Sequence, residues 1–213
     1  RYISGYVTED QNFLVISASK TTSGNQLHIL DLKKQRLVTI HKEYMNRLSV
    51  VHNEGNQFFI YTNIESPNGR IFSVNLNSPK KWNDIISEKE NVLSASFGGG
   101  YLFASYLVDA KTEVEQLDLN GKLIRKIELP GIGTASGFSA KKEDKDLYYS
   151  FRSFTFPSTI YNYKMTTGES EIYQSPSIDF NAEDYITKQI FFKSKDDTSI
   201  PMFITHKKDM VMN

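Results

Sequence analysis

Apolar and aromatic residues along this chain occur in short alternating runs, each closed by Gly, Asn, Asp, Ser or Pro. Alternation with a period of two is typical of strands with one buried face, and the closing residues favour turns. Helical periodicity is almost absent. The pattern predicts an all-β chain with the candidate strands YISGYV, FLVISAS, QLHILDL, RLVTIHKE, RLSVVH, QFFIYTN, RIFSVNL, WNDIISE, VLSASF, YLFASYL, VEQLDL, KLIRKIEL, GTASGFSA, LYYSFRS, TIYNYKM and SEIYQS.

These candidate strands form four groups of four that share one plan. The third strands recur every 40 to 45 residues or so, which is about the period of four-stranded propeller blades. They are LHILDL at 27–32, FSVNL at 72–76, VEQLDL at 114–119 and IYNYKM at 160–165. The sequence therefore predicts a partial β-propeller over 1–177, with blades at approximately 1–45, 46–90, 91–130 and 131–177.

Four blades are fewer than most propellers possess, and each blade needs a neighbour on both sides to bury its two faces. The chain also begins at Arg1, inside a strand-like pattern, without a Met. Both features favour a fragment of a longer protein. Edge strands left open in such a fragment leave its oligomeric state undecided.

Turn residues support the predicted hairpins, because Gly and Asn accept the positive φ that tight turns demand. The run Gly98–Gly100 is expected to be a flexible hairpin tip. A phosphate-binding loop would need a helix after it, whereas YLFASYL is strand-like. The other turns between candidate strands are 23–25, 53–56, 67–69, 120–121 and 166–168.

The charge balance argues against two classes of partner. The chain has 25 basic and 25 acidic side chains, so its formal net charge is zero and no overall field attracts nucleic acid or an anionic membrane. No apolar run approaches the roughly 18 residues of a membrane span. The absence of Cys excludes disulfides and thiolate zinc sites, and it leaves both a cytoplasmic and a periplasmic location open.

Motifs for catalysis or metal binding are not found. The string Gly133–Gly137 has its serine, Ser136, one position away from the G-x-S-x-G elbow of α/β-hydrolases, and no helix pattern follows it. Glycines 131 and 133 begin a dinucleotide fingerprint that is not completed. The histidines lack metal-ligand spacing, and each is expected to be a surface or half-buried side chain: His28, His41, His52 and His206.

Charged and aromatic clusters also have structural explanations. The carboxylate pairs are expected on solvated faces: Glu113 with Glu115, and Asp144 with Asp146. The run 141–146 is mixed in sign and predicts an exposed hairpin loop rather than a basic nucleic-acid stripe. The stretch 147–165 favours two hairpin strands with buried rings over a ligand platform, with Arg152 its best candidate for an electrostatic role.

The end of the chain predicts one more hairpin, with FF before a polar turn at Lys195–Ser199 and the apolar run IPMFI after it. This tail, 185-YITKQIFFKSKDDTSIPMFITHKKDM-210, resembles the re-entry from propeller to peptidase domain in prolyl oligopeptidases. That family shows an aromatic-rich strand, a Lys-Asp-Gly turn and I-P-M-F-I-x-H-K-K in this order. Segments 101–130 and 148–169 are similar to its later blades.

The resemblance implies a seven-bladed propeller inserted into an α/β-hydrolase domain, with the Ser, Asp and His of the triad located C-terminal to the propeller. Residues 178–213 would then be a linker, with a hinge near 176–186, and the first hairpin of that hydrolase domain. The parent would be a serine peptidase that cuts short peptides after proline. The family usually has glycine where this chain has Asp197, which is a mild departure.

On this interpretation, we expect no catalytic, cofactor-binding or metal-binding residue within the chain, and short proline-containing peptides as partners of the parent. Sister enzymes of the oligopeptidase B or dipeptidyl-peptidase type remain an alternative. A second alternative is a non-enzymatic propeller that binds a protein partner. The sequence beyond residue 213 discriminates the two classes, because a nucleophile elbow selects the peptidase and a further blade selects the binding module.

Overall fold

The computed structural model describes residues 2–210 and contains four four-stranded sheets followed by a two-stranded hairpin. We call the sheets 1 to 4 in chain order. The strands are β1 (Tyr2–Val7), β2 (Phe13–Ser19), β3 (Asn25–Asp31) and β4 (Arg36–His41) in sheet 1; β5 (Leu48–Glu54), β6 (Gln57–Thr62), β7 (Arg70–Asn75) and β8 (Trp82–Ile86) in sheet 2; β9 (Leu93–Gly98), β10 (Tyr101–Val108), β11 (Lys111–Leu117) and β12 (Leu123–Lys126) in sheet 3; and β13 (Thr134–Ser136), β14 (Asp146–Arg152), β15 (Thr159–Lys164) and β16 (Ser170–Gln174) in sheet 4.

Every sheet is an antiparallel meander in which sequential strands pair. A register shift interrupts the pairing of the third and fourth strand in each sheet, at Leu27/His28, Ile71/Phe72, Gln116/Leu117 and Ile160/Tyr161. A bulge at the same place in four sheets is a repeated structural feature rather than a local defect. The predicted plan of four groups of four strands is confirmed.

Three hydrophobic clusters lie between consecutive sheets, one for each junction. Phe58 and Phe72 are buried between sheets 1 and 2, Leu102 between sheets 2 and 3, and Phe103 and Tyr163 between sheets 3 and 4. Leu102 and Phe103 are adjacent on β10 and point to opposite faces, because side chains alternate along a strand. Each inner sheet therefore buries both of its faces against its neighbours.

The terminal hairpin consists of β17 (Tyr185–Lys193) and β18 (Ser199–Lys207), preceded by a 3-10 turn at Ala182–Asp184. Asn181 caps that turn, since its side chain accepts a hydrogen bond from the Glu183 amide. The hairpin turn covers residues 194–198, one residue earlier than predicted, because Ser199 already pairs with Lys193. Asp197 has a φ of +63°, in the left-handed region that glycine adopts more readily.

Two local predictions need correction. The segment GTASGFSA was expected to be one strand, but only Thr134–Ser136 pairs with β14. Gly137 has a φ of +101°, which turns the chain out of the sheet. The tip at Gly98–Gly100 joins β9 and β10 as predicted, but it is packed rather than free: a Cβ on Gly99 would lie 2.5 Å from Met165 Cε.

Candidate functional site

The first strands of the four sheets, β1, β5, β9 and β13, are each an edge strand, and the loops that follow them converge. In sheet 4, the amide of Ala140 donates to the carbonyl of Phe97 in sheet 3, at 3.1 Å. The Lys142 amide donates to Glu9 Oε1 of sheet 1 at 3.0 Å. These edges therefore border a common inner channel, and the loops after them form one of its ends.

The polar residues at this end form what we call the loop-end cluster: Glu9, Asp10, His52, Asn53, Glu54 and Lys142. Lys142 Nζ lies 2.6 Å from Glu54 Oε2, and His52 Nε2 lies 2.9 Å from Glu54 Oε1. The Asn53 side-chain amide donates to Asp10 Oδ2 at 2.9 Å. The cluster thus ties sheet 2 directly to sheets 1 and 4 across the channel.

His52 is a buried, titratable member of the loop-end cluster. Its ring stacks on Phe97 of sheet 3, with centroids 3.4 Å apart and planes 7° from parallel. Burial lowers the pKa of His52 and outweighs the hydrogen bond to Glu54. Burial acts to raise the pKa of Glu54, but hydrogen bonds from His52 and Lys142 outweigh it and leave that pKa below its usual value. Neutral His52 therefore donates its Nε2 proton to an ionised Glu54 at pH 7.

The opposite end of the channel faces the terminal hairpin. Gln189 of β17 donates through its side-chain amide to the carbonyl of Asp109, in the β10–β11 turn, at 2.6 Å. Phe203 of β18 packs on Phe154, in the β14–β15 turn, with centroids 5.3 Å apart. A cleft of about 210 Å³ lies at this contact, and the exposed Arg152 is part of its lining. The hairpin therefore contacts sheets 3 and 4 but leaves most of its own surface uncovered.

Between the two ends lies a larger cleft of about 530 Å³, which we call the inner groove. Its walls are the first strands of sheets 3 and 4 with neighbouring parts of β10 and β11. All of its lining residues are uncharged, in contrast to the loop-end cluster. The channel thus has one charged end, held together by hydrogen bonds and an ion pair, and an uncharged wall.

The described residues hold no group of three or more His, Cys, Asp or Glu side chains that could bind a metal ion. No helix within residues 2–210 is long and apolar enough to cross a membrane. His28 Nδ1 lies 2.9 Å from Thr39 Oγ1 on the exposed side of β3 and β4. A catalytic hydroxyl needs an imidazole base that a third group, such as a carboxylate, orients. Among the described residues no carboxylate bonds His28, so the Thr39 hydroxyl is not arranged as an activated nucleophile.

The structure agrees with some expectations for individual residues and corrects others. His28, His41 and His206 are half-buried as expected, whereas His52 is buried, at 8% exposure, because its ring stacks on Phe97 beside Glu54. Glu115 was expected on a solvated face. Its side chain is only 13% exposed, because it pairs with Lys89 at 2.6 Å.

The aromatic stretch 147–165 forms β14 and β15 with alternating rings buried, which confirms the core interpretation. Tyr149 and Tyr163 are at most 1% exposed. Arg152 is separated from these rings on the opposite face of β14, in the hairpin-end cleft. Ser136 bonds the neighbouring Ser150 and no imidazole.

The loop-end cluster was missed from sequence. Its members come from two loops and the end of β5, up to 133 residues apart, and Lys142 lies in the mixed-sign run that was interpreted as a solvated loop. The string His52-Asn53-Glu54-Gly55 is a local signal, because a histidine and a carboxylate two residues apart share one face of a strand end. Only the packing of three sheets brings Lys142 to that pair.

Comparisons with known proteins agree with this architecture. A family model described as the prolyl oligopeptidase N-terminal β-propeller domain matches residues 1–176. A prolyl endopeptidase of Elizabethkingia meningoseptica is 45% identical over 213 residues, which is 99% of this chain and 30% of that protein. The chain therefore spans about 30% of the length of this curated relative.

Solved structures show the same fold. One, from a structural and mechanistic analysis of two prolyl endopeptidases, has a TM-score of 0.86 and is 32% identical in sequence. The match covers 99% of this chain and 32% of the solved chain. Apo prolyl oligopeptidase B from Galerina marginata has a TM-score of 0.90 with 22% identity, over 99% of this chain and 32% of its own, and it supports the fold alone. The chain belongs to the prolyl oligopeptidase family and corresponds to part of its N-terminal β-propeller domain.

Proposed function

We propose that this chain is a non-catalytic propeller segment of a serine peptidase that cleaves short peptides on the carboxyl side of proline. The observation that carries the proposal is the 45% identity with a prolyl endopeptidase over the whole chain, combined with the propeller match over residues 1–176. We assign no catalytic, cofactor or metal residue to the chain. Ser, His and Asp of the triad would lie elsewhere in the full-length protein.

The sheets would act by restricting access. A wall of packed sheets around a channel admits a flexible oligopeptide but excludes a folded protein of larger cross-section. The loop-end cluster supports this role, since it ties sheets 1, 2 and 4 together at one end of the channel. Substrate size would therefore be selected before any chemistry occurs.

We further propose that residues 1–177 are four blades, divided near 45, 90 and 130, and that 178–213 are a linker and the first hairpin of an α/β-hydrolase domain. The hairpin supports this division, because it pairs with none of the four sheets. Its aromatic contact to sheet 4 and its hydrogen bond to sheet 3 would then join two domains. Residues 176–186 would be the hinge, so a crosslink across them in the full-length enzyme should slow turnover.

The test is peptidase activity of the full-length protein on two chromogenic peptides, one with proline and one with arginine before the leaving group. Proline-selective turnover that a serine-reactive phosphonate blocks is the expected result. Arginine-selective turnover would assign the protein to the oligopeptidase B type. No turnover on either peptide would contradict the peptidase proposal and favour a propeller whose role is binding.

A further inference from the structure

The inner groove has a regular side-chain arrangement. Ser105 of β10 is directly opposite Ser94 of β9, so the two hydroxyls form one row across sheet 3. The next row along the same face contains Leu107, with Thr112 opposite it on β11. These rows face sheet 4, because side chains two residues apart share a face and Phe103 of β10 belongs to the cluster between sheets 3 and 4.

The apolar members of the groove are open to solvent. Leu107 is 59% exposed, and Val92, which extends the Ser94 side of the groove, is 57% exposed. Phe138 of the facing wall is buried and lines the other side. An exposed leucine and valine beside a cleft of about 530 Å³ offer apolar surface that a bound segment could cover.

The groove offers hydrogen-bond donors that the fold leaves unused. Within residues 2–210, the hydroxyls of Ser94, Ser105 and Ser139 bond no other residue. Three further hydroxyls have structural roles: Ser96 donates to the carbonyl of Phe138, Thr112 accepts a hydrogen bond from the amide of Ala135 at 3.1 Å, and Ser136 bonds Ser150. The three free hydroxyls can therefore donate to acceptors on a ligand.

A proline-containing peptide matches this surface. Each proline lacks an N–H, so such a peptide presents more acceptors than donors, and its ring is apolar and conformationally restricted. Extended proline-rich segments have little conformational entropy left to lose on binding. A groove of free hydroxyls and aliphatic side chains supplies donors and apolar contact without placing a charge against the peptide.

The lack of charge is informative about the ligand. Charged residues make up 23% of the chain, yet none lines this cleft. The pocket at the loop end contains Glu9, Asp10, Glu54, Lys142 and Glu143, and the cleft at the hairpin contact contains Arg152. A peptide with charged side chains would lose hydration in the groove without gaining a partner.

We propose that the inner groove binds an extended, uncharged segment of a proline-containing peptide, away from the bond that is cut. The inference rests on the proposed function for its place in an enzyme, but binding itself does not require cleavage. Ser94 and Ser105 would donate to peptide carbonyls, and Leu107 and Val92 would cover prolyl rings. The groove would then favour longer uncharged substrates over minimal ones.

The test is equilibrium binding to the full-length protein, treated beforehand with a serine-reactive phosphonate. The probe is a fluorescein-labelled, acetylated peptide of about ten alternating prolines and alanines. Leu107→Asp places a charge in the groove at an exposed position. Leu37→Asp is the matched control, since Leu37 is 57% exposed on the outer strand β4 of sheet 1.

We expect Leu107→Asp to weaken binding about tenfold, from lost apolar contact and a new charge, and Leu37→Asp to leave it unchanged. Ser105→Ala should weaken binding severalfold, from the loss of one donor. Equal binding by all variants would overturn the proposal that the inner groove binds the peptide. So would equal weakening by both Asp variants.

Turnover separates this inference from the proposed function. If the full-length protein cleaves a minimal proline substrate, Leu107→Asp should raise KM for a long uncharged peptide and leave kcat/KM for the minimal one unchanged. Loss on both substrates would contradict a separate binding groove. If the protein cleaves neither peptide, the proposed function fails, and the binding measurement still decides whether the groove binds the peptide.

Discussion

Sheets 3 and 4 and the terminal hairpin have similar strand sequences, yet they bury their aromatic residues very differently. Phe103, Tyr149 and Tyr163 are at most 1% exposed between the two sheets. Phe191 and Phe192 of the hairpin are 51% and 46% exposed. Aromatic strands therefore form a core only where a second sheet covers them, and the same pattern without a neighbour leaves the rings in solvent.

The largest effect is expected from truncating one aromatic ring between sheets 3 and 4, compared with truncating one in the terminal hairpin. Phe103→Ala should lower the free energy of unfolding of the sheets by about 3 to 5 kcal/mol, because it leaves a cavity beside Phe138 and Tyr163. Phe191→Ala should lower the free energy of unfolding by less than about 1 kcal/mol, because this ring is already half exposed. Denaturant unfolding of both variants measures the difference, and similar losses would contradict the comparison.

A smaller effect is expected from the buried polar link between the two sheets. Tyr163 donates to Gln116 Oε1 at 2.6 Å, and the Gln116 amide donates to the carbonyl of Met165 at 2.8 Å. Tyr163→Phe leaves the fully buried Gln116 oxygen without that donor, so it should cost about 1 to 3 kcal/mol.

Tyr148→Phe is the control for this link, because Tyr148 is 48% exposed on the outer face of β14. It should change the free energy of unfolding by less than about 0.5 kcal/mol. Equal effects of the two Tyr→Phe changes would mean that the bond to Gln116 contributes nothing to the joining of the sheets.

Acidification should weaken the loop-end cluster before it affects the hairpin. Because burial lowers the pKa of His52 below 6.5, the unfolded chain binds this proton at higher pH than the folded chain. Stability should therefore fall as pH decreases through 6.5 toward the folded pKa, with a slope of at most about 1.4 kcal/mol per pH unit. The depressed pKa of Glu54 adds a further loss below 4.5.

Unfolding midpoints between about pH 7 and about pH 5 measure this dependence. His52→Phe keeps a flat ring against Phe97 but cannot titrate, so that part of the slope should disappear. A slope that is unchanged in His52→Phe would assign the pH dependence to other groups.

The smallest predicted effect concerns the hairpin turn. Asp197→Gly removes the cost of a left-handed φ of +63° and should stabilise the hairpin by at most about 1 kcal/mol. Asp196→Gly should destabilise it, because the Asp196 carboxylate accepts from Ser194 and from the Thr198 amide. Hydrogen exchange of β17 and β18 measures both changes, and slower exchange in Asp196→Gly would contradict this account of the turn.

Much of the fold follows from local sequence features. Alternating runs such as Phe13–Ser19 and Asn-Gly turns such as Asn120–Gly121 define strands and hairpins without long-range information. The recurring third strands give the repeat length of the four-stranded sheets. The end of β13 was mispredicted because the positive φ of Gly137 interrupts an apolar run that otherwise continues the strand pattern.

The candidate sites were less predictable, because their geometry depends on packing between sheets. Glu115 alternates along β11 like a solvent-facing residue, but Lys89, from the loop between β8 and β9, pairs with it. The inner groove combines Ser94 and Ser105 with a wall from sheet 4, about 30 to 45 residues further along the chain. No single stretch of sequence contains either arrangement.

The most direct test of the account is the cleavage of one proline-containing sequence by the full-length protein in two contexts. The sequence is presented first as a free peptide and then as a surface loop of a stable, disulfide-locked protein. Size restriction by the packed sheets predicts cleavage of the free peptide and none of the loop. Comparable cleavage of both would contradict the claim that the four sheets restrict access to the active site.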